Sequence, residues 1–142
     1  MFKAFRDSLL SVIYPKQCHT CDRLVECLDD GHACRSCWQE TRIFDGTQML
    51  CAKCGAYLGE TAASIAVSCR KCDDHHYDRA VAGGVYEKAI SASIARLKSE
   101  PVVSARVKDL MTAAWIRSKF TNTDLIIPVP LSDRRRIERG FN

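Results

Sequence analysis

The chain has 142 residues, 46% of them hydrophobic, with 21 Lys and Arg against 17 Asp and Glu and a formal net charge of +4. This is enough for one ordinary domain or two small ones, and it excludes a disordered chain as the default reading. No stretch approaches the roughly 18 apolar residues of a membrane span.

Residues 1–15, "MFKAFRDSLLSVIYP", place Phe2, Phe5, Leu9, Val12 and Ile13 at helical spacing, with Lys3, Arg6 and Asp7 among them. The apolar run is too short for a signal peptide, an aspartate interrupts it, and no small-residue cleavage site follows. A short amphipathic helix packed on the next domain is expected, since the segment carries too little positive charge for a membrane anchor. The expected location is therefore a reducing cytoplasm, where cysteines stay thiols and paired CxxC motifs hold metal.

Nine cysteines are present, and eight fall into four CxxC pairs: Cys18/Cys21, Cys34/Cys37, Cys51/Cys54 and Cys69/Cys72. One such turn points two sulfurs at an ion, and two turns complete a closed tetrahedral zinc site. Twelve residues lie between Cys21 and Cys34 and fourteen between Cys54 and Cys69, room for a short hairpin in each. Residues 16–75 are thus expected to form a double zinc ribbon with two structural zinc ions. Pairing in sequence order closes the shorter loops and is favoured. Spacing alone leaves open an interleaved, cross-braced scheme. With four sulfurs per ion no position is left for water or substrate, so the metal serves folding. His19, His32, His75 and His76 lie in or beside these turns but are not needed as ligands, and Cys27 belongs to no pair.

From Lys16 to Arg79 there are eight basic and ten acidic side chains. A zinc ion in four thiolates has a net charge of about −2, so two of them take the module to about −6. Phosphate neutralisation drives non-specific nucleic-acid binding, and this sign opposes it. A protein partner is the better expectation.

Residues 76–142 change in character. "YDRAVAGGVYE" alternates as a strand does, with Gly83-Gly84 suggesting a bulge. "KAISASIARLKSE" has Ile90, Ile94 and Leu97 at helical spacing, and Pro101 is expected to open a second helix with Val103, Val107, Leu110, Met111 and Ala114 on one face. "LIIPVP" reads as a strand covered on both faces. Strand, helix, helix, strand begins an α/β sheet, in which ligands bind beyond the carboxyl ends of the strands. The segment in that place, Pro130, Leu131, Ser132, Arg134, Arg135, Arg136 and Arg139, is a candidate pyrophosphate or anion loop, since guanidinium groups suit phosphate oxygens. The plainer reading is a solvated basic loop.

Tyr14-Pro15, "CHTC", "CRSCW", "CAKCG", "CRKC", "YDRAVAGGVYE", "IARLK", "DLIIPVPL" and "RRRIERGFN", in this order, resemble the ComF family of competence-associated proteins. The resemblance implies an N-terminal double zinc ribbon and a C-terminal type I phosphoribosyltransferase-like α/β domain. It implies that "LIIPVPL" is an early strand of that sheet and that the following loop lies where pyrophosphate is held. It also implies a role in DNA uptake beside a helicase-like ATPase. The family's later acidic, Thr/Gly-rich loop for phosphoribosyl pyrophosphate has no counterpart in this sequence. The chain is therefore expected to be a truncated, non-catalytic member without catalytic residues, and Mg2+ would be needed only by a full-length transferase. With two strands of the sheet, the α/β part is expected to be marginal and the zinc module to be the stable part. A full-length phosphoribosyltransferase and a nucleic-acid-binding zinc protein are the alternative readings.

Overall fold

The computed structural model describes residues 13–61, 65–120 and 123–142. Most of the expected N-terminal helix, residues 1–12, lies outside them. The first ribbon begins at a tight hairpin in which Gln17 bridges Leu24. Cys18 N donates to Arg23 O at 2.7 Å and Val25 N to Lys16 O at 2.9 Å. The turn closes because Asp22 takes a left-handed φ of 60°, a conformation that aspartate tolerates better than most residues, and donates its amide to Cys18 O. A 3-10 turn, Leu28–Asp30, then leads to α1, Arg35–Gln39. The Glu26 carboxylate accepts from Arg35 N at 3.0 Å, which places negative charge at the start of α1.

The second ribbon repeats the first device. Strands β1, Met49–Leu50, and β2, Tyr57–Gly59, pair antiparallel with Leu50 opposite Tyr57, the same sequence interval as between Gln17 and Leu24. Cys51 N donates to Ala56 O at 2.8 Å, as Cys18 N does to Arg23 O. Gly55 holds the left-handed position at φ 69° that Asp22 holds in the first hairpin. A 3-10 turn, Arg70–Cys72, carries the last ligand pair.

Two helices follow: α2, Lys88–Arg96, and α3, Ala105–Ser118. The second starts at Ser104, whose hydroxyl accepts from Val107 N, and not at Pro101. A hydroxyl able to satisfy an open backbone amide sets a helix start more firmly than a proline that only permits one. Val103 therefore precedes the helix, and Met111 faces outward. Ala89 and Ile90 of α2 and Val107 of α3 share one buried cluster with Cys18, Val25, Cys34, Cys37 and Trp38. One apolar core thus runs from the first ribbon into the helices, across the division expected near residue 75.

The strand expected over 77–87 does not form. Only Gly84 bridges Ile43, flanked by Phe44 N to Gly83 O and Val85 N to Arg42 O, both 2.9 Å. A side chain at Gly84 would stand 2.6 Å from Arg42 O, so glycine is what allows this approach. The pairing partner is the ribbon, and no second strand of the expected sheet lies alongside among the described residues. Three further contacts hold the joint. Arg42 binds the Glu87 carboxylate through Nε and Nη2, each at 3.1 Å. Lys88 Nζ reaches Glu40 at 2.5 Å. The Thr41 hydroxyl donates to Cys37 O at 2.6 Å and accepts from Ala89 N at 3.1 Å.

"LIIPVP" is not a strand either. Residues 125–130 are exposed and bound in no ladder among the described residues. Pro128 and Pro130 remove two donors from one edge, and Asn142 occupies the other, accepting from Leu131 N and donating to Val129 O. Helix α4, Asp133–Arg139, follows.

If the helices share the core of the first ribbon, Ile90→Ala should destabilise the ribbon as well as α2, by about 2–4 kcal/mol. Urea unfolding in a Trp115→Phe background, followed by Trp38 fluorescence and by helical circular dichroism, would then give one shifted transition. A ribbon signal that keeps its midpoint while the helical signal moves would refute the shared core.

Candidate metal centres

The eight paired cysteines gather as two groups, Cys18, Cys21, Cys34 and Cys37, and Cys51, Cys54, Cys69 and Cys72, with the sulfurs of each group within 4.8 Å of one another. This is the pairing in sequence order. In the first group Cys18 Sγ lies 3.7 Å from Cys37 Sγ, and Cys21 Sγ lies 3.6 Å from Cys34 Sγ. In the second, Cys51 to Cys72 is 3.6 Å, Cys54 to Cys69 is 3.7 Å and Cys69 to Cys72 is 3.4 Å. Sulfurs about 2.3 Å from a tetrahedral zinc ion lie about 3.8 Å from each other. The spacing fits such an ion and is far too long for disulfides, which among the described residues do not occur. The two groups fit two structural zinc ions.

Local structure presents the ligands. In each ribbon the first pair sits on the hairpin turn closed by Asp22 or Gly55. The second pair sits where backbone coils: Cys34 just ahead of α1 with Cys37 inside it, and Cys69 just ahead of the 3-10 turn that ends in Cys72. Backbone amides then face sulfur. Cys54 N and Cys69 N donate to Cys51 Sγ at 3.5 and 3.2 Å, and these bonds hold its pKa down to about 6. In the first site backbone amides do the same for Cys18, and at Cys21 a side chain does most of the work. Arg23 Nε donates to Cys21 Sγ at 3.3 Å and lowers that thiol to about 6. Burial acts in the opposite sense on Cys37, which it raises, and on Cys72, which it pushes up to about 12. A divalent cation offsets that cost by binding the thiolate.

The sites differ in their surroundings. Cys18, Cys34 and Cys37 belong to the apolar cluster shared with the helices, whereas the second site lies outside it. Lys53 links the second site to the chain beyond it by donating to Cys72 O at 3.1 Å and His75 O at 2.7 Å.

No histidine joins either group. His32 packs at 3.4 Å from Glu100, and burial lowers its pKa. His75 stacks on Tyr77. Cys27 stands at the start of the first 3-10 turn, outside both groups. The candidate anion segment is largely helical, with Pro130 and Leu131 before it and Ser132 at its cap. Arg134 pairs with Glu138 at 2.9 Å and Arg136 with Asp133 at 3.0 Å, while Arg135 and Arg139 share a face by helical spacing. Sequence reasoning did not single out Arg23, Thr41 or Lys53 as supports of the sites. Arg23, two residues past a ligand, and Lys53, inside the third CxxC pair, carried a positional signal, and Thr41 did not.

Residues 9–74 match the family model of the double zinc ribbon domain. No curated protein and no solved structure matches the chain. No helix among the described residues is long and apolar enough to cross a membrane.

Stepwise chelation should remove the ion of the second site first, because its ligands lie outside the core. Elemental analysis should show Cys69→Ser falling from two zinc ions per chain to one with the helical signal kept. Cys34→Ser, in the shared core, should lose both the ion of the first site and much of the α2 and α3 signal. Equal structural loss in the two variants would contradict the difference between the sites.

Proposed function

We propose that the chain is a ComF-like protein whose zinc-ribbon module acts as a docking scaffold for a protein partner in DNA uptake, with no chemistry at the metal. The observation that carries this reading is the closure of both sites. Each offers four thiols to one ion, so the coordination sphere has no position for a substrate. The acidic balance of residues 16–79 argues in the same direction, against phosphate as the natural ligand. The order of motifs that resembles ComF points to a helicase-like ATPase of DNA uptake as partner. Phosphoribosyl transfer belongs to the same resemblance but needs an acidic, Thr/Gly-rich loop that these residues do not supply.

One observation favours a nucleic-acid reading: α4 carries four arginines, three of them exposed and Arg139 half-buried, and two of the four are bound in ion pairs within the helix. A single biosensor experiment separates these cases. The zinc-loaded chain is immobilised and exposed to a purified DNA-uptake ATPase, to duplex DNA and to magnesium phosphoribosyl pyrophosphate. The expected result is saturable binding of the ATPase that survives Arg134→Ala, Arg135→Ala and Arg136→Ala together. DNA retention that falls steeply with salt and disappears in that triple variant would replace the docking reading with the nucleic-acid one. Binding of magnesium phosphoribosyl pyrophosphate would return the transferase reading.

A further inference from the structure

Beside the shared core, α2, α3 and the segment around Gly83 enclose an open groove of about 590 Å3. Ile94, Leu97, Leu110, Met111, Trp115 and Phe120 line it, and no charged side chain does. Met111 is 64% exposed, Trp115 46% and Ile94 40%, so the groove is uncovered. An apolar trough of this kind on a small protein marks an interaction surface.

Its walls narrow the kind of occupant. Two of them are helices, whose backbone groups bond within the helix, and the backbone near Gly83 already pairs with the ribbon. An extended peptide gains its affinity by adding a strand to a sheet edge, and helical walls offer none. The occupant therefore satisfies its own backbone, as a helix does, and contributes side chains alone.

The rim selects the charge. From residue 88 to residue 120 there are seven Lys and Arg and two Asp and Glu. Both acids are engaged elsewhere: Glu100 pairs with Arg96 and stands 3.4 Å from His32, and Asp109 lines a separate pocket with Asp30 and Arg106. Lys98, Lys108 and Lys119 are exposed and make no ion pair among the described residues. Lys98 lies one turn past Ile94, Lys108 one turn ahead of Met111, and Lys119 caps α3 next to Phe120, so uncompensated positive charge borders the apolar floor.

We infer that the groove is a docking site for an acidic amphipathic helix of a partner protein, with apolar side chains seated between α2 and α3 and carboxylates over Lys98, Lys108 and Lys119. A basic helix with the same apolar face is repelled by that rim. The chain's own uncovered stretch, residues 125–130, does not meet the requirement, since Pro128 and Pro130 bar a helix there and the arginine-rich α4 follows. A flat anionic membrane and duplex DNA answer the lysines but leave the trough between the helices unfilled. The groove takes about two or three apolar side chains, which makes the contact a small and transient one. This surface lies on the helices and not on the ribbons, so the inference goes beyond the proposed function and does not depend on it.

The test uses the full chain with two zinc ions bound and a fluorescent synthetic peptide of about 18 residues, with leucine at i, i+3, i+4 and i+7 and glutamate on the opposite face. Fluorescence anisotropy should show saturable binding that weakens as salt rises. Met111→Asp, at an exposed position, should keep zinc content and helical signal and weaken binding about 10- to 100-fold. Lys98→Glu with Lys108→Glu should weaken it about 10-fold, and this double variant should instead bind the peptide whose glutamates are all replaced by lysine. A proline in the middle of the acidic peptide should abolish binding. A wild type that does not bind the acidic peptide overturns the inference, as does binding indifferent to Met111→Asp or to the two lysine reversals. Equal binding of the acidic and the lysine peptide overturns it as well. Phosphatidylserine vesicles or duplex DNA bound through these same residues, and more tightly than the peptide, would replace the partner helix with a membrane or a nucleic acid.

Discussion

The first four-cysteine site holds this protein together because its ligands are also core residues. Cys18, Cys34 and Cys37 bury beside Val25, Trp38, Ala89, Ile90 and Val107, so the ion and the apolar contacts stabilise one unit. A chain of this length has little interior to spend, and a metal centre inside the core compensates for a small apolar area. The helices inherit their position from this site. Arg42, Thr41, Gly84 and Glu87 fix the joint, and each either follows α1 closely or precedes α2.

Two ribbons built by one rule have come to different surroundings. Both use a hairpin closed by a left-handed residue after the second cysteine, both place the remaining pair on a coiled turn, and both aim donors at a sulfur. The first is enclosed by helices, and the second contacts the rest of the chain through polar links such as Lys53 and through backbone near Gly55. A side chain there would stand 3.0 Å from Ala82 N and 3.1 Å from Ala80 O, so this glycine serves the turn and the contact together. The stacking of buried Phe44 on Tyr57 adds a side-chain contact to this close approach of backbones.

The metal sites were legible because a CxxC turn is a local device: its spacing points two sulfurs at one ion, and the loops between pairs are short. Loop length favoured pairing in sequence order without excluding the interleaved scheme, and the convergence of the sulfurs in the fold decides for sequence order. The helices were legible from Ile90, Ile94, Val107 and Leu110, although the start of α3 depended on the hydroxyl of Ser104 and not on Pro101. The strands were not legible for a physical reason. Alternation in "YDRAVAGGVYE" and the apolar run of "LIIPVP" state which side chains seek cover, but a strand exists only when another backbone accepts its hydrogen bonds, and a local pattern does not say where that backbone is. In one case the ribbon supplied a single bridge at Gly84, and in the other prolines and Asn142 closed the edges. Supports such as Thr41 and Lys53 act across 48 and 22 residues of sequence, and a local pattern does not name their partners.

Thr41 has a mechanical meaning. Its hydroxyl hangs between the carbonyl of Cys37, inside α1, and the amide of Ala89, at the start of α2. The backbone of a metal ligand and the first turn of a distant helix are therefore joined through a single oxygen atom that both hydrogen bonds share.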